Sequence, residues 1–232
     1  MDSGVRINDF AVKLANVNGT GSASANGLLM QAIFRIGIPV SGKNLFPSNI
    51  QGLPTWYEIR VSGKGHTART ATYDVMVAMN AETYARDVRE VRPGGWVIYD
   101  STWPLNPALA RPDVTFLGVP YAQLCIDAFK DSRERTLMKN IAYAGTLAAL
   151  LDMDMDVIAA MLDEKFSRKP ALKQSNHKAI QLGYQYAKEH FQCPLPVRLR
   201  KMDANKDSVL IDGNTAAALG CLYAGATVAA WY

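Results

Sequence analysis

Carboxylates are missing from one long window of this sequence. Between Ala11 and Tyr57 there is no Asp or Glu, while Lys13, Arg35 and Lys43 lie inside it. Two like charges held close in a partly buried site repel by roughly 4 kcal/mol at an effective dielectric of 20, so such a window is permissive for a bound anion. Cysteine is scarce too. Cys125, Cys193 and Cys221 stand far apart with no Cys-x-x-Cys pair, which excludes a self-contained iron–sulfur or zinc site and suits a reducing compartment. Each is expected to be a small buried hydrophobe. His66, His177 and His190 are isolated and expected at the surface or in structural roles. No apolar run approaches the roughly 18–20 residues of a membrane span, and the opening MDSGVRINDF lacks the basic start and apolar stretch of a secretory signal. The expectation is a cytoplasmic protein without a membrane partner.

Strong charge of either sign is also lacking. The net charge is +4 over 232 residues, with 49% hydrophobic and 20% charged. That is globular, long enough for a full core plus an extra piece, and implies no nucleic acid. The one tight basic cluster, Arg198-Leu199-Arg200-Lys201, is expected in an exposed linker.

What is present begins with residues 10–36, FAVKLANVNGTGSASANGLLMQAIFRI. A short apolar run ends at Val17. The turn Asn18-Gly19-Thr20-Gly21-Ser22 follows, and Leu28, Leu29, Ala32, Ile33 and Ile36 then recur at helical spacing. This reads as strand, tight turn, helix. Such a turn aims backbone N–H groups and the positive end of a helix dipole at an anion, most often a phosphate. Gly19 and Gly21 let the backbone approach a ligand. An ordinary strand-to-helix turn also uses glycines, so the turn alone does not decide the matter.

The dinucleotide fingerprint is incomplete. It requires a third glycine or alanine, and an acidic residue about 20 positions on for the ribose. Ser24 holds the third position, with Ala25 adjacent, and residues 38–50, IPVSGKNLFPSNI, contain no carboxylate. No Lys-Ser or Lys-Thr completes a P-loop. A second polar turn, Ser48-Asn49-Ile50-Gln51-Gly52, follows instead. A phosphorylated nucleotide without an NAD-type ribose contact fits better, and coenzyme A is one such ligand.

Strands are expected at Phe10–Val17, Thr55–Ser62, Asp74–Met79, Trp96–Tyr99 and Thr115–Val119, with helices at Asn26–Ile36 and Glu82–Val91 between them. The alternation predicts an α/β layer with a largely parallel sheet. Arg92-Pro93-Gly94-Gly95 reads as a turn. Beyond residue 120 strands give way to helices at Arg133–Leu151, Asp156–Phe166 and Ala171–Phe191, with Gly145 permitting close helix packing. Asp152-Met-Asp-Met-Asp156 lacks the glycine and distal glutamate of a calcium loop and is expected to cap the next helix. After Cys193-Pro-Leu-Pro196 the chain turns charged and linker-like to residue 208. A small-residue helix from Asp212 and a strand at Val228–Tyr232, both buried, are expected to close it. Ending on a strand suggests the front portion of a longer polypeptide.

Taken in order, NGTGSASAN, GKNLFPSNIQGLPTWYEIRVS, YDVMVAMN, PGGWVIYDST, MKNIAYAGTLAALL and DGNTAAALGCLYAGATVAAWY resemble the 2-oxoacid:ferredoxin oxidoreductases. The likeness is to a gamma domain fused to the start of an alpha domain, in the manner of the large subunit of the two-subunit, 2-oxoglutarate type. It covers essentially the whole chain. It implies a three-layer gamma-type domain over 1–195 that contacts CoA, a linker over 196–208, and over 209–232 the start of a pyrimidine-binding-type alpha domain. It implies CoA-acylating oxidative decarboxylation of a 2-oxoacid, or the reverse carboxylation, in TCA-cycle or CO2-fixing metabolism. Thiamine diphosphate with Mg and a [4Fe-4S] cluster belong, by the resemblance, to a partner beta subunit. Ferredoxin is the electron partner, and the assembly a dimer of heterodimers. The CoA-binding residues so implied are Asn18, Gly19, Thr20, Gly21, Ser22, Ser48, Asn49, Gln51 and Asn140. Relatives carry lysines around the second turn where Asn49 and Ile50 stand here, and Lys43 is a possible substitute. The loop that reaches substrate lies past Tyr232, so no catalytic residue is named. Two other readings are a nucleotide-binding scaffold or regulatory module without its own catalysis, and an NAD-type dehydrogenase with an unusual acidic contact.

Overall fold

The computed structural model of the chain describes residues 4–48 and 52–230. Its elements are β1 (Arg6–Ile7), β2 (Asp9–Val17), α1 (Ser22–Arg35), β3 (Val40–Leu45), β4 (Pro54–Ser62), β5 (Tyr73–Ala78), α2 (Tyr84–Arg89), β6 (Val91–Asp100), β7 (Thr115–Val119), α3 (Tyr121–Ala128), α4 (Ser132–Leu150), α5 (Met155–Lys165), α6 (Pro170–His190), β8 (Val197–Arg198) and α7 (Gly213–Tyr223). Six strands form one sheet in the order β3-β4-β2-β5-β6-β7. β2, β5, β6 and β7 run parallel, and the β3–β4 hairpin adds two antiparallel strands at one side. β5, buried at every position, sits in the middle, as a near-continuous apolar strand covered on both faces should.

The two faces are covered unequally. The larger core joins Val12, Leu14, Val75, Val77 and Ile98 of the sheet to α1, α3, α4, α5 and α6. On the other face Ala11, Met76 and Val97 meet only Val88 of α2 and a few neighbours. The third layer is therefore a single short helix among the described residues. α4 and α6 touch backbone to backbone: a Cβ on Gly145 would sit 1.9 Å from the Ile180 carbonyl oxygen, and one on Gly183 1.8 Å from that of Ala142. Asp131 and Asp154 cap α4 and α5, so the acidic run near 154 is a helix start, as its sequence suggested.

Several expectations are corrected. Val40–Leu45 pairs with β4 as an edge strand, though VSGKNL has little strand propensity; the pairing supplies what the side chains do not. α3 has no counterpart among the expected helices. Arg92–Gly95 lies inside β6 and forms a bulge, with Gly94 at φ +75° and a register shift opposite Tyr73 and Val75. Val197 and Leu199 are buried, and β8 pairs with β1, so the start of the charged run is stitched to the body. α7 is exposed along its whole length, and no strand forms over the described residues 226–230. An apolar helix needs a partner face, and none exists among the described residues.

Candidate functional site

β2 delivers the chain to the turn at Asn18, and the turn conforms to the expected geometry. Gly19 has φ +86° and Gly21 φ +83°, a left-handed conformation that side chains resist. Gly21 is the N-cap of α1 and offers no side-chain oxygen, and the first turn of α1 carries no acid. The first N–H groups of a helix lack intrahelical partners, so here a ligand can take them.

The loop is held from three sides. Thr20 Oγ1 donates to the Val17 carbonyl at 2.8 Å. Asn18 exchanges backbone hydrogen bonds with the β3–β4 connection, to Leu53 O at 2.8 Å and from Gly52 N at 3.1 Å. From the middle of α4, Asn140, 2% exposed, donates its Nδ2 to the Thr20 carbonyl at 2.7 Å. That bond turns the loop's carbonyl inward. Beneath lies a polar relay: Asn80 Nδ2 to the Asn16 carbonyl (3.5 Å), Asn16 Nδ2 to the Tyr143 hydroxyl (3.4 Å), and that hydroxyl to Asn26 Oδ1 (2.7 Å). Burial pushes the Tyr143 hydroxyl well above the usual phenol range, so it keeps its proton.

A cavity of about 330 Å³ opens there, lined by Asn18, Gly19, Gly21, Ser22, Ala23, Asn26, Asn44 and Thr55. No ionisable side chain is among them. An anion in it would be met by backbone dipoles and neutral amides and hydroxyls.

Of the residues singled out from sequence, Asn18, Gly19, Gly21 and Ser22 line this cavity, while Thr20 and Asn140 shape it. Ser48 is exposed on the hairpin connection. Asn49 and Gln51 lie outside the described residues. Lys43 is not brought to the site: it stands opposite Glu58 in the β3–β4 register and lines a separate cavity on the far face of the sheet. Lys13 lies on that far face as well, its Nζ 2.5 Å from Glu90 Oε2 and 3.6 Å from Glu58 Oε1. Arg35 pairs with Glu164, Nη1 to Oε1 at 2.9 Å. The three cations of the acid-free window are therefore all elsewhere. Asn26, Asn44 and Thr55 were not anticipated. Asn26 follows the turn within one helical turn and was the readable signal; the hairpin residues reach the site only through β3 pairing.

A second cavity of about 200 Å³ sits at the ends of β5 and β6, lined by Tyr84, Tyr99, Asp100 and Trp103 among others. Asp100 is buried there, with Lys139 Nζ 3.6 Å from its Oδ2. Cys125 is buried, which pushes its thiol up to about 11, whereas Cys221, against expectation, is exposed on α7. His177 pairs with Asp163 at 2.6 Å on the surface. Among the described residues no group of three or more His, Cys, Asp or Glu could hold a metal, and no helix is long and apolar enough to cross a membrane.

Comparison with known proteins agrees with this architecture. The subunit alpha of 2-oxoacid:ferredoxin oxidoreductase 2 from Aeropyrum pernix is 22% identical over 97% of the chain and 41% of its own length. That of 2-oxoacid:ferredoxin oxidoreductase 1 from Sulfurisphaera tokodaii is 21% identical over 94% and 39%. The chain thus spans about two fifths of these relatives. Among solved structures, the 2-oxoglutarate:ferredoxin oxidoreductase of Magnetococcus marinus, with 2-oxoglutarate, coenzyme A and succinyl-CoA bound, superposes with a TM-score of 0.83 at 25% identity, over 95% of this chain and 38% of that one. A keto/oxoacid ferredoxin oxidoreductase gamma subunit from Geobacter sulfurreducens shares the fold at TM-score 0.61 and 17% identity, over 78% of this chain and 99% of its own. The family model for pyruvate ferredoxin/flavodoxin oxidoreductase matches residues 11–186, the sheet, the glycine turn and the helical layer together, and the chain belongs to that family.

Proposed function

We propose that this chain is part of a 2-oxoacid:ferredoxin oxidoreductase and that the cavity at the head of α1 holds phosphate groups of CoA. The observation that carries the reading is an uncapped, acid-free helix N-terminus opening on a cavity behind two left-handed glycines. It is supported by the Magnetococcus marinus relative, which was solved with CoA bound. The same relative makes 2-oxoglutarate the proposed substrate. Residues 1–195 are read as the CoA-contacting gamma-type domain, 196–208 as the connection, and 209–232 as the start of an alpha domain, a role that the exposed, apolar α7 suits.

Thiamine diphosphate with Mg and a [4Fe-4S] cluster are assigned to a partner beta subunit. Cys125, Cys193 and Cys221 are spread over α3, the segment after α6, and α7, which is no ligand set for a cluster. The cofactors supply the carbon and electron chemistry when bound. This chain's residues grip the nucleotide end of CoA, so that the thiol end is delivered in one orientation. Well-oriented intramolecular reactions gain about 7–11 kcal/mol of barrier from such positioning. Ferredoxin as electron partner, a dimer of heterodimers, a cytoplasmic setting, and a place in the TCA cycle or CO2 fixation complete the reading.

The test is calorimetric titration of the native complex with CoA, and with NAD as control. Two variants accompany the wild type. Gly21→Asp sets a carboxylate in the turn, but at φ +83° and with its Cβ 2.5 Å from Leu137 Cδ2 it also strains the backbone. Ala23→Asp is the cleaner probe. Ala23 is exposed in the first turn of α1 and lines the cavity, where an acid suits the helix dipole yet repels a phosphate. We expect CoA to bind and both variants to weaken it tenfold or more, about 1.4 kcal/mol. Binding of NAD in place of CoA overturns the reading.

A further inference from the structure

The cavity at the head of α1 contains a buried donor that no other group in the described chain uses. Asn26 is 3% exposed and lines the cavity beside Gly19, Gly21 and Ser22. Which end of its amide faces the cavity is settled by the residues behind it. Asn16 Nδ2 can only donate, so at the Tyr143 hydroxyl it meets an acceptor lone pair. The single hydroxyl proton is then committed to the 2.7 Å bond with Asn26 Oδ1. The oxygen end of the amide is thereby tied inward, and the Nδ2 end is left over. Among the described residues no acceptor is bonded to it, and it opens on the cavity rather than being sealed in the core.

We propose that Asn26 is a ligand-binding residue whose Nδ2 donates to a phosphate oxygen held at the α1 N-terminus, and that Tyr143 is the positioning residue that fixes its amide in that orientation. The proposal rests on the reading that this cavity takes a phosphate group of CoA. A bond from an amide to an anionic oxygen is charge-assisted and among the stronger hydrogen bonds. With the amide reversed, an oxygen would face the phosphate and repel it. Tyr143 therefore acts on affinity without touching the ligand. The relay joins β2, α1 and α4, so the donor's direction is set by three separate elements.

The experiment titrates CoA into the protein purified with its native partners, as wild type, Asn26→Asp, Tyr143→Phe and Ala23→Asp. Each is compared with wild type at the same pH, at about pH 7.5 and about pH 5. Asn26→Asp keeps the shape and the acceptor for Tyr143 but exchanges the donor for a carboxylate. It should weaken CoA binding on the order of 100-fold near pH 7.5, as removal of a charge-assisted bond plus repulsion implies. Part of that loss should return near pH 5, because burial beside an anion raises a carboxyl pKa and the protonated group again offers a donor. Tyr143→Phe should weaken binding about tenfold at both pH values, with unchanged stoichiometry. Asn26→Asp and Tyr143→Phe binding like wild type while Ala23→Asp fails would overturn this inference and leave the CoA reading standing. A loss in Asn26→Asp that is the same at both pH values marks disturbed packing and overturns it as well. If wild type does not bind CoA, or Ala23→Asp binds as wild type does, the CoA reading fails and takes this inference with it.

Discussion

The two faces of the sheet handle charge in opposite ways. On the helical face, the cavity behind the glycine turn is lined without one ionisable side chain. On the other face Lys13, 2% exposed, sits between Glu58 and Glu90 and over the rings of Trp56 and Tyr73. Strand alternation separates them. Phe10, Val12 and Leu14 of β2 point to the helices, and Ala11, Lys13 and Ala15 point away. A lysine five residues before a phosphate-type turn is thus no guide to the charge at that turn. Fixed dipoles suit a ligand that comes and goes, whereas buried full charges need permanent partners.

Removing a permanent partner should have the largest effect. Lys13→Met removes the cation that Glu58 and Glu90 share; Glu58 keeps Arg69 and Tyr73 and Glu90 keeps Arg86, so the cost falls at the low end of the about 3–5 kcal/mol for breaking a buried pair. Denaturant unfolding should show that loss, while CoA affinity in the folded variant stays within a factor of two or so. An equal fall in affinity would merge the two regions that the comparison separates.

Next comes the loop's anchor. Asn140→Ala releases the Thr20 carbonyl and should cost about 1–3 kcal/mol, with a CoA affinity loss as the loop loosens. Stability and affinity falling together distinguishes this residue from Lys13.

Acid should act chiefly on the far face, because the lowered carboxylates Asp163, Glu164 and Asp212 are exposed and contribute little. Burial alone would raise Glu58, but hydrogen bonds from Arg69 and Tyr73 and the charge of Lys13 outweigh it and hold its carboxyl below the ordinary range. Glu90 is lowered in the same way, burial being outweighed by Lys13 and Arg86. A depressed folded pKa adds stability that is complete above the unfolded value, about 4.3, and is lost as pH falls through the folded one. Melting temperature should therefore drop below about pH 4.3, and Glu58→Gln should flatten that limb. Asp87 has the opposite sign: burial raises it despite bonds from Thr83 and Trp56, so its protonation favours the fold as pH falls, and Asp87→Asn should remove that offset and leave the acid limb steeper rather than flatter.

The smallest effect expected is Ala23→Asp on stability. An acid in the first turn of a helix contributes about 0.3–1 kcal/mol. A melting temperature at or slightly above wild type, beside weakened CoA binding, would mark the cavity as a ligand site rather than a stabilising feature.

Where residues act through their neighbours in the chain, the sequence was a good guide. Val17 to Ile36 announces strand, turn and helix, because apolar spacing and two glycines are local quantities. Most strand and helix cores follow for the same reason, as does the close α4–α6 contact marked by Gly145. The misses are of another kind. VSGKNL becomes a strand only because β4 lies beside it. Asn26 and Tyr143 are 117 positions apart, and nothing in either neighbourhood names the other. The apolar character of α7 states a need for burial without stating where the covering face is.

By itself, then, the sequence determined the α/β class, the glycine turn and its freedom from carboxylates, since these depend on composition and short-range periodicity. Tertiary structure alone decided that Lys13, Arg35 and Lys43 stand away from that turn, that Asn140 anchors it, and that the Asn26 amide faces the cavity. Those facts depend on which face each strand turns inward and on hydrogen bonds closed across the whole sheet–helix interface.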